Sequence, residues 1–76
     1  MTHEEVKIIT SILESGEGWM PAQEIVRKFR RKTGRNDHEK TLQQEVMAAV
    51  FRLEKQGSAE VATRRLGTLF ARTASK

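Results

Sequence analysis

Two groups of residues in this chain have the types and spacing to hold a polyanion. The first is a basic run: Arg27, Lys28, Arg30, Arg31, Lys32, Arg35 and Lys40. Within residues 27–40 only Asp37 and Glu39 oppose these seven cations, for a net charge of +5. Guanidinium and ammonium groups make charge-assisted hydrogen bonds to phosphate oxygens, so a cluster of them binds polyanions with a strong salt dependence. The second group is the polar row Lys40, Thr41, Gln43 and Gln44, with Ala48 beyond it. A glutamine amide can bond an adenine edge twice, a lysine reaches a phosphate or a guanine, and alanine allows close approach. A smaller third group is the adjacent pair Arg64 and Arg65, just before Gly67. Paired arginines on a turn suit phosphate contact or insertion into a narrow groove.

Catalytic chemistry is not expected. The histidines are His3, near one end, and His38, beside Glu39. Neighbours on a helix point apart, so His38 and Glu39 form no base or ligand pair. There is no nucleophile–base arrangement, no glycine-rich phosphate loop and no HExxH. The lack of cysteine excludes a disulfide framework and a thiolate metal site. No catalytic residue, metal, cofactor or small-molecule ligand is therefore expected.

The 76 residues suffice for a single domain, 1–76, with a modest core. The formal charge is +4, and the pI near 10 points to an acidic partner. The charge is unevenly placed. Residues 1–18 carry Glu4, Glu5, Glu14 and Glu17 against Lys7, so the N-terminal part is acidic and the remainder basic. No apolar run approaches the ~20 residues of a membrane span. The opening MTHEEVKIITSI lacks the basic start of a signal peptide. These features fit a cytoplasmic protein, nucleoid-associated if it binds DNA.

Three helices are expected to position the basic and polar groups. Val6, Ile9 and Leu13, widened by Ile8 and Ile12, form a helical stripe over residues 3–15. Trp19 and Met20 form a short extended segment before Pro21, with Trp19 as a core anchor. Ala22, Ile25, Val26 and Phe29 mark a second helix over 21–33, with Pro21 in its first turn and Gly34 ending it. Leu42, Val46, Ala49, Val50 and Leu53 mark a third over 38–56, with Asp37 as N-cap and Gly57 as terminator. Met47 and Phe51 lie off that stripe. Either a following hairpin covers them, or they form a contact between two copies of the chain.

After Gly57 the period shortens towards two. Residues 59–73 are expected to form a β-hairpin with a turn at Arg64–Gly67, pairing Thr63 with Thr68 and Val61 with Phe70 on one face. A fourth helix over 59–66 is the alternative.

The order of these elements resembles the winged helix-turn-helix family over about residues 3–73. GWMPAQEIVRKF looks like the short first strand running into the second helix. LQQEVMAAVFRLEKQG looks like a recognition helix closing in leucine, polar residues and glycine. AEVATRRLGTLFART looks like the wing. The segment RKTGRND is longer and more charged than the usual tight turn. The resemblance implies a mainly α fold, a three-helix core plus a C-terminal β-hairpin wing. It also implies a double-stranded DNA partner, with the third helix in the major groove and the wing on the backbone or minor groove, as in a small transcriptional regulator. The expected contact residues are Arg31, Lys32, Arg35, Lys40, Thr41, Gln43, Gln44, Arg64 and Arg65. Winged-helix domains also serve as protein-interaction adaptors and as RNA- or ribosome-binding modules, so those partners stand as alternatives.

Overall fold

A computed structural model describes residues 2–16, 18–63 and 67–74. Thr2 starts the first helix, α1 (His3–Ser15), with a reciprocal cap: the Glu5 N–H donates to Thr2 Oγ1 at 3.2 Å, and the Thr2 N–H donates to Glu5 Oε1 at 3.0 Å. A two-residue strand, β1 (Met20–Pro21), leads into α2 (Ala22–Thr33). Pro21 is extended (φ −62°, ψ 146°) and is therefore the N-cap of α2, not part of its first turn. Gly34 closes α2 at φ 69°, where its N–H donates to Arg30 O, a left-handed geometry that a Cβ would disfavour.

The third helix, α3, spans Glu39–Lys55. Its N-cap is His38, whose Nδ1 accepts the Lys40 N–H at 3.3 Å. The expected cap, Asp37, is drawn instead to Arg35. At the other end the Ser58 N–H donates to Leu53 O and the Gly57 N–H to Glu54 O, with Gly57 at φ 78°. This six-to-one and five-to-two pair is the Schellman closure, so Gly57 terminates the helix as its sequence position suggests.

Strands β2 (Ala59–Thr63) and β3 (Leu69–Thr73) form the hairpin, and β1 joins its far side, giving an antiparallel sheet of order β1-β3-β2. The chain is thus a three-helix core with a β-hairpin appended, as expected. The register differs by one residue from the sequence expectation. Thr63 pairs with Leu69 and Val61 with Ala71, while Phe70 lies opposite Ala62. β3 begins at Leu69, one residue after the expected Thr68. A one-residue shift reverses the faces of a strand. Ala71, fully buried between Met20 and Val61, takes the core side, and Phe70 turns to the other.

All three helical stripes meet in one core. Ile9, Ile12, Ile25, Phe29, Leu42, Val46 and Val50 are its fully buried large side chains. Each such side chain contributes about 1.5–3 kcal/mol on transfer from water. Met47 joins this core at 7% exposure, whereas Phe51 stays 40% exposed. The Met47/Phe51 pair is therefore split, and Met47 is withdrawn from any contact between copies. Trp19, expected as a core anchor, lies outside the core cluster and is half-buried at the sheet.

Candidate nucleic-acid interface

The exposed side of α2 carries Gln23, Arg27 and Arg31 at i, i+4 and i+8, opposite the buried Ala22/Ile25/Val26/Phe29 stripe. On α3, Lys40, Gln44 and Ala48 form the exposed ridge, and Gln43 leans off it towards α2 and the hairpin. Two clefts place these rows together. One, of about 280 Å³, is lined by Gln23 of α2, Gln43 of α3, and Gly67, Thr68 and Leu69 of the hairpin. The other, of about 220 Å³, is lined by Gln23, Arg27 and Arg30 of α2 and Glu39 of α3. Gln23 lines both, so the two clefts adjoin; together they form a trough from Thr68 of the hairpin along α2 to Glu39 at the start of α3.

The expected contact residues do not all lie there. Gln43 lines the trough and Arg31 continues the Gln23–Arg27 row. Lys40 and Gln44 stand on the ridge beside it. Thr41 is exposed on the other flank of α3. Lys32 falls half a helical turn from Gln23, on the flank shared with Lys28. Arg64 and Arg65 lie outside the described residues.

Arg35 is occupied. Its Nε and Nη2 donate to the two Asp37 carboxylate oxygens at 2.8 Å each, Nη1 donates to Glu5 Oε2 at 2.9 Å, and Nη2 also donates to Glu45 Oε2 at 2.7 Å. A guanidinium presents five donors in a fixed planar fork, and four contacts to three carboxylates use most of that fork. Arg35 holds Asp37 below the usual carboxylate range. Glu5 is lowered chiefly by the Thr2 N–H, and further by Arg35. At 100° per residue Glu45 sits about 200° round α3 from Gln43, so this ion-pair hub lies on the helix side away from the trough. As placed, Arg35 joins parts of the protein and does not offer its charge to the trough.

Arg30 is partly committed as well: Nη2 donates to Asp37 O at 3.1 Å, while Nε is buried with no hydrogen-bond partner. Gln23, Arg27 and Thr68 are trough residues that the expected set omits. The i, i+4 spacing of Gln23 and Arg27 opposite the α2 stripe is the sequence signal for two of them. Thr68 carries no such signal, because its place depends on the hairpin connection.

The trough and ridge can supply cations for phosphate and side-chain amides for base edges. Among the described residues no cluster of histidine and carboxylate groups is arranged to hold a metal ion, and no helix is long and apolar enough to cross a membrane. No family model and no curated protein matches the chain.

Proposed function

We propose that this chain binds double-stranded DNA, as a small transcriptional regulator would. The start of α3 enters the major groove, α2 and the hairpin connection meet the flanking backbone, and Arg64 and Arg65 extend the hairpin contact. The observation that carries this is the pair of adjoining clefts that sets Gln23 and Arg27 of α2, Gln43 of α3 and Thr68 of the hairpin on one side. The basic excess of residues 27–40 and the resemblance to winged helix-turn-helix domains support the same conclusion. Gln43, Gln44 and Lys40 read bases or adjacent phosphates. Arg27 and Arg31 bind backbone.

Selection from a random duplex pool tests the proposal. An enriched sequence is expected, and with about five phosphate contacts its affinity falls with a log–log salt slope of about −4 to −5. Gln43→Ala and Gln44→Ala are each expected to relax preference at one position, by about 1–3 kcal/mol for a bidentate base contact. A pool with no member better than bulk DNA would falsify sequence preference.

A protein-interaction adaptor is the second reading, and the 40% exposure of Phe51 on α3 is what favours it. In that case α3 meets an acidic protein or a second copy of the chain, and duplex DNA fails to compete.

A further inference from the structure

The position of Arg35 in the most basic segment groups it with the phosphate-binding cations. Its surroundings assign it a different task. It sits between α2 and α3, the connection that decides how α3 is presented. Its fork reaches α1 through Glu5, its own loop through Asp37, and the second turn of α3 through Glu45, at 2.7–2.9 Å. Glu5 works at both ends of this link. Oε1 closes the α1 cap on Thr2, while Oε2 accepts from Arg35. The start of α3 has little else of this kind. Among the described residues its polar ties to the preceding loop are the His38 side-chain cap and the Leu42 N–H bond to His38 O, both local, while Arg30 ties the loop to α2 through Asp37 O.

We propose that Arg35 is a positioning residue: it fixes the start of α3 relative to α1 through the Glu5–Arg35–Glu45 bridge, and thereby controls base selectivity without touching the nucleic acid. The role rests on the DNA-binding proposal for its consequence, but not for its geometry. Two features separate it from a phosphate contact. The guanidinium is turned to three carboxylates, which repel phosphate. The hub lies about 200° round α3 from Gln43. Within the bridge a lysine would not reproduce the fork, because an ammonium is a point charge without bidentate geometry.

The test uses the full chain and the variants Arg35→Gln, Arg35→Lys and Glu45→Gln. The first readout, independent of any ligand, is amide hydrogen exchange. All three variants are expected to speed exchange in residues 42–45 by about tenfold, a local opening, while the Phe29 and Val50 regions keep their protection. The second readout is DNA binding over a salt series. The ratio of selected to bulk duplex affinity is expected to fall about tenfold in all three, roughly the value of one misaligned base contact. The salt slope is expected to stay at the parent value.

A slope reduced by about 0.9 in Arg35→Gln, with none in Glu45→Gln, would mean that Arg35 neutralises a phosphate, and it overturns the proposal. Unchanged exchange in residues 42–45 also overturns it. If the parent chain binds no duplex, the DNA proposal fails by itself, and the exchange measurement still decides whether Arg35 positions α3.

Discussion

The guanidinium of Arg72 lies 4.4 Å from the centre of the Trp19 ring, and its Nε and Nη2 donate to Glu60 Oε2 at 3.0 and 2.8 Å. Arg72 and Glu60 are register partners on β3 and β2. The connector before β1 is therefore held to the outer side of the sheet by a cation–π contact, and that contact is itself oriented by a cross-strand ion pair. Arg72→Ala is expected to cost about 0.5–1 kcal/mol, the range of an exposed cation–π contact. Trp19 is the only tryptophan, so its emission reports this site directly. Urea unfolding followed by fluorescence should show a lower midpoint and an altered folded-state emission. An unchanged folded-state spectrum would contradict the stacking.

The Arg35 hub makes the fold sensitive to acid, with a sign that follows from its carboxylates. Asp37 is lowered by Arg35, and Glu5 chiefly by the Thr2 N–H with help from Arg35. A carboxylate with a depressed folded-state pKa stabilises the fold above its unfolded value, about pH 4, and that stabilisation is lost as pH falls through the folded value. Melting temperature should thus be level at neutral pH and fall below about pH 4. Arg35→Gln should melt lower than the parent at pH 7, and the two curves should converge at the acid end. A constant gap down to pH 2 would show that these carboxylates are not the cause.

The helices are legible in the sequence because burial imposes a 3.6-residue period that survives without tertiary context. All of the expected α2 stripe and all of the α3 stripe are buried. The hairpin's existence is legible for a similar reason, but its register is not. The register turns on whether a large or a small side chain of β3 faces the helices, and Ala71 carries no hydrophobic signal of its own. Trp19 and Arg35 show the same limit of composition, which assigns an aromatic to the core and an arginine to the partner. The structure sets Trp19 against Arg72 outside the core, and turns Arg35 to Asp37, Glu5 and Glu45.

Met47 and Phe51 are four residues apart and similar in hydrophobicity, yet they should respond differently to substitution. Met47→Ala opens a cavity in the core and is expected to cost about 2–5 kcal/mol. Phe51→Gln changes an exposed position and should lie within about 0.5 kcal/mol of the parent. Chemical denaturation of both variants checks the split. Sedimentation of Phe51→Gln beside the parent also checks whether Phe51 joins two copies: a parent dimer that becomes monomeric assigns it that contact.

Ala71 and Ala62 make the register testable. Ala71 is fully buried and packed against Met20 and Val61, whereas Ala62 is half-buried opposite Phe70 on the outer side of the sheet. Ala71→Leu should overpack the core and cost about 1–3 kcal/mol. Ala62→Val should be neutral or mildly stabilising, since a β-branched residue suits a half-exposed strand position beside an aromatic. Had Val61 paired with Phe70 on the core face, Ala71 would face outward as Ala62 does, and Ala71→Leu would be tolerated.

The trough predicts which basic residues of α2 carry the salt dependence of DNA binding. Arg27 and Arg31 share the Gln23 row, while Lys28 and Lys32 lie on the flank towards β1, where Lys28 lines a cleft with Trp19 and Gly18. Arg27→Ala and Arg31→Ala should each reduce the magnitude of the log–log salt slope by about 0.9, the value of one phosphate neutralised on duplex DNA. Lys28→Ala and Lys32→Ala should leave it near the parent value. All four changes remove one positive charge, so a general electrostatic attraction would lower the four slopes alike. Only a backbone held against the trough separates them by row, and equal slopes across the set would move the contact away from α2.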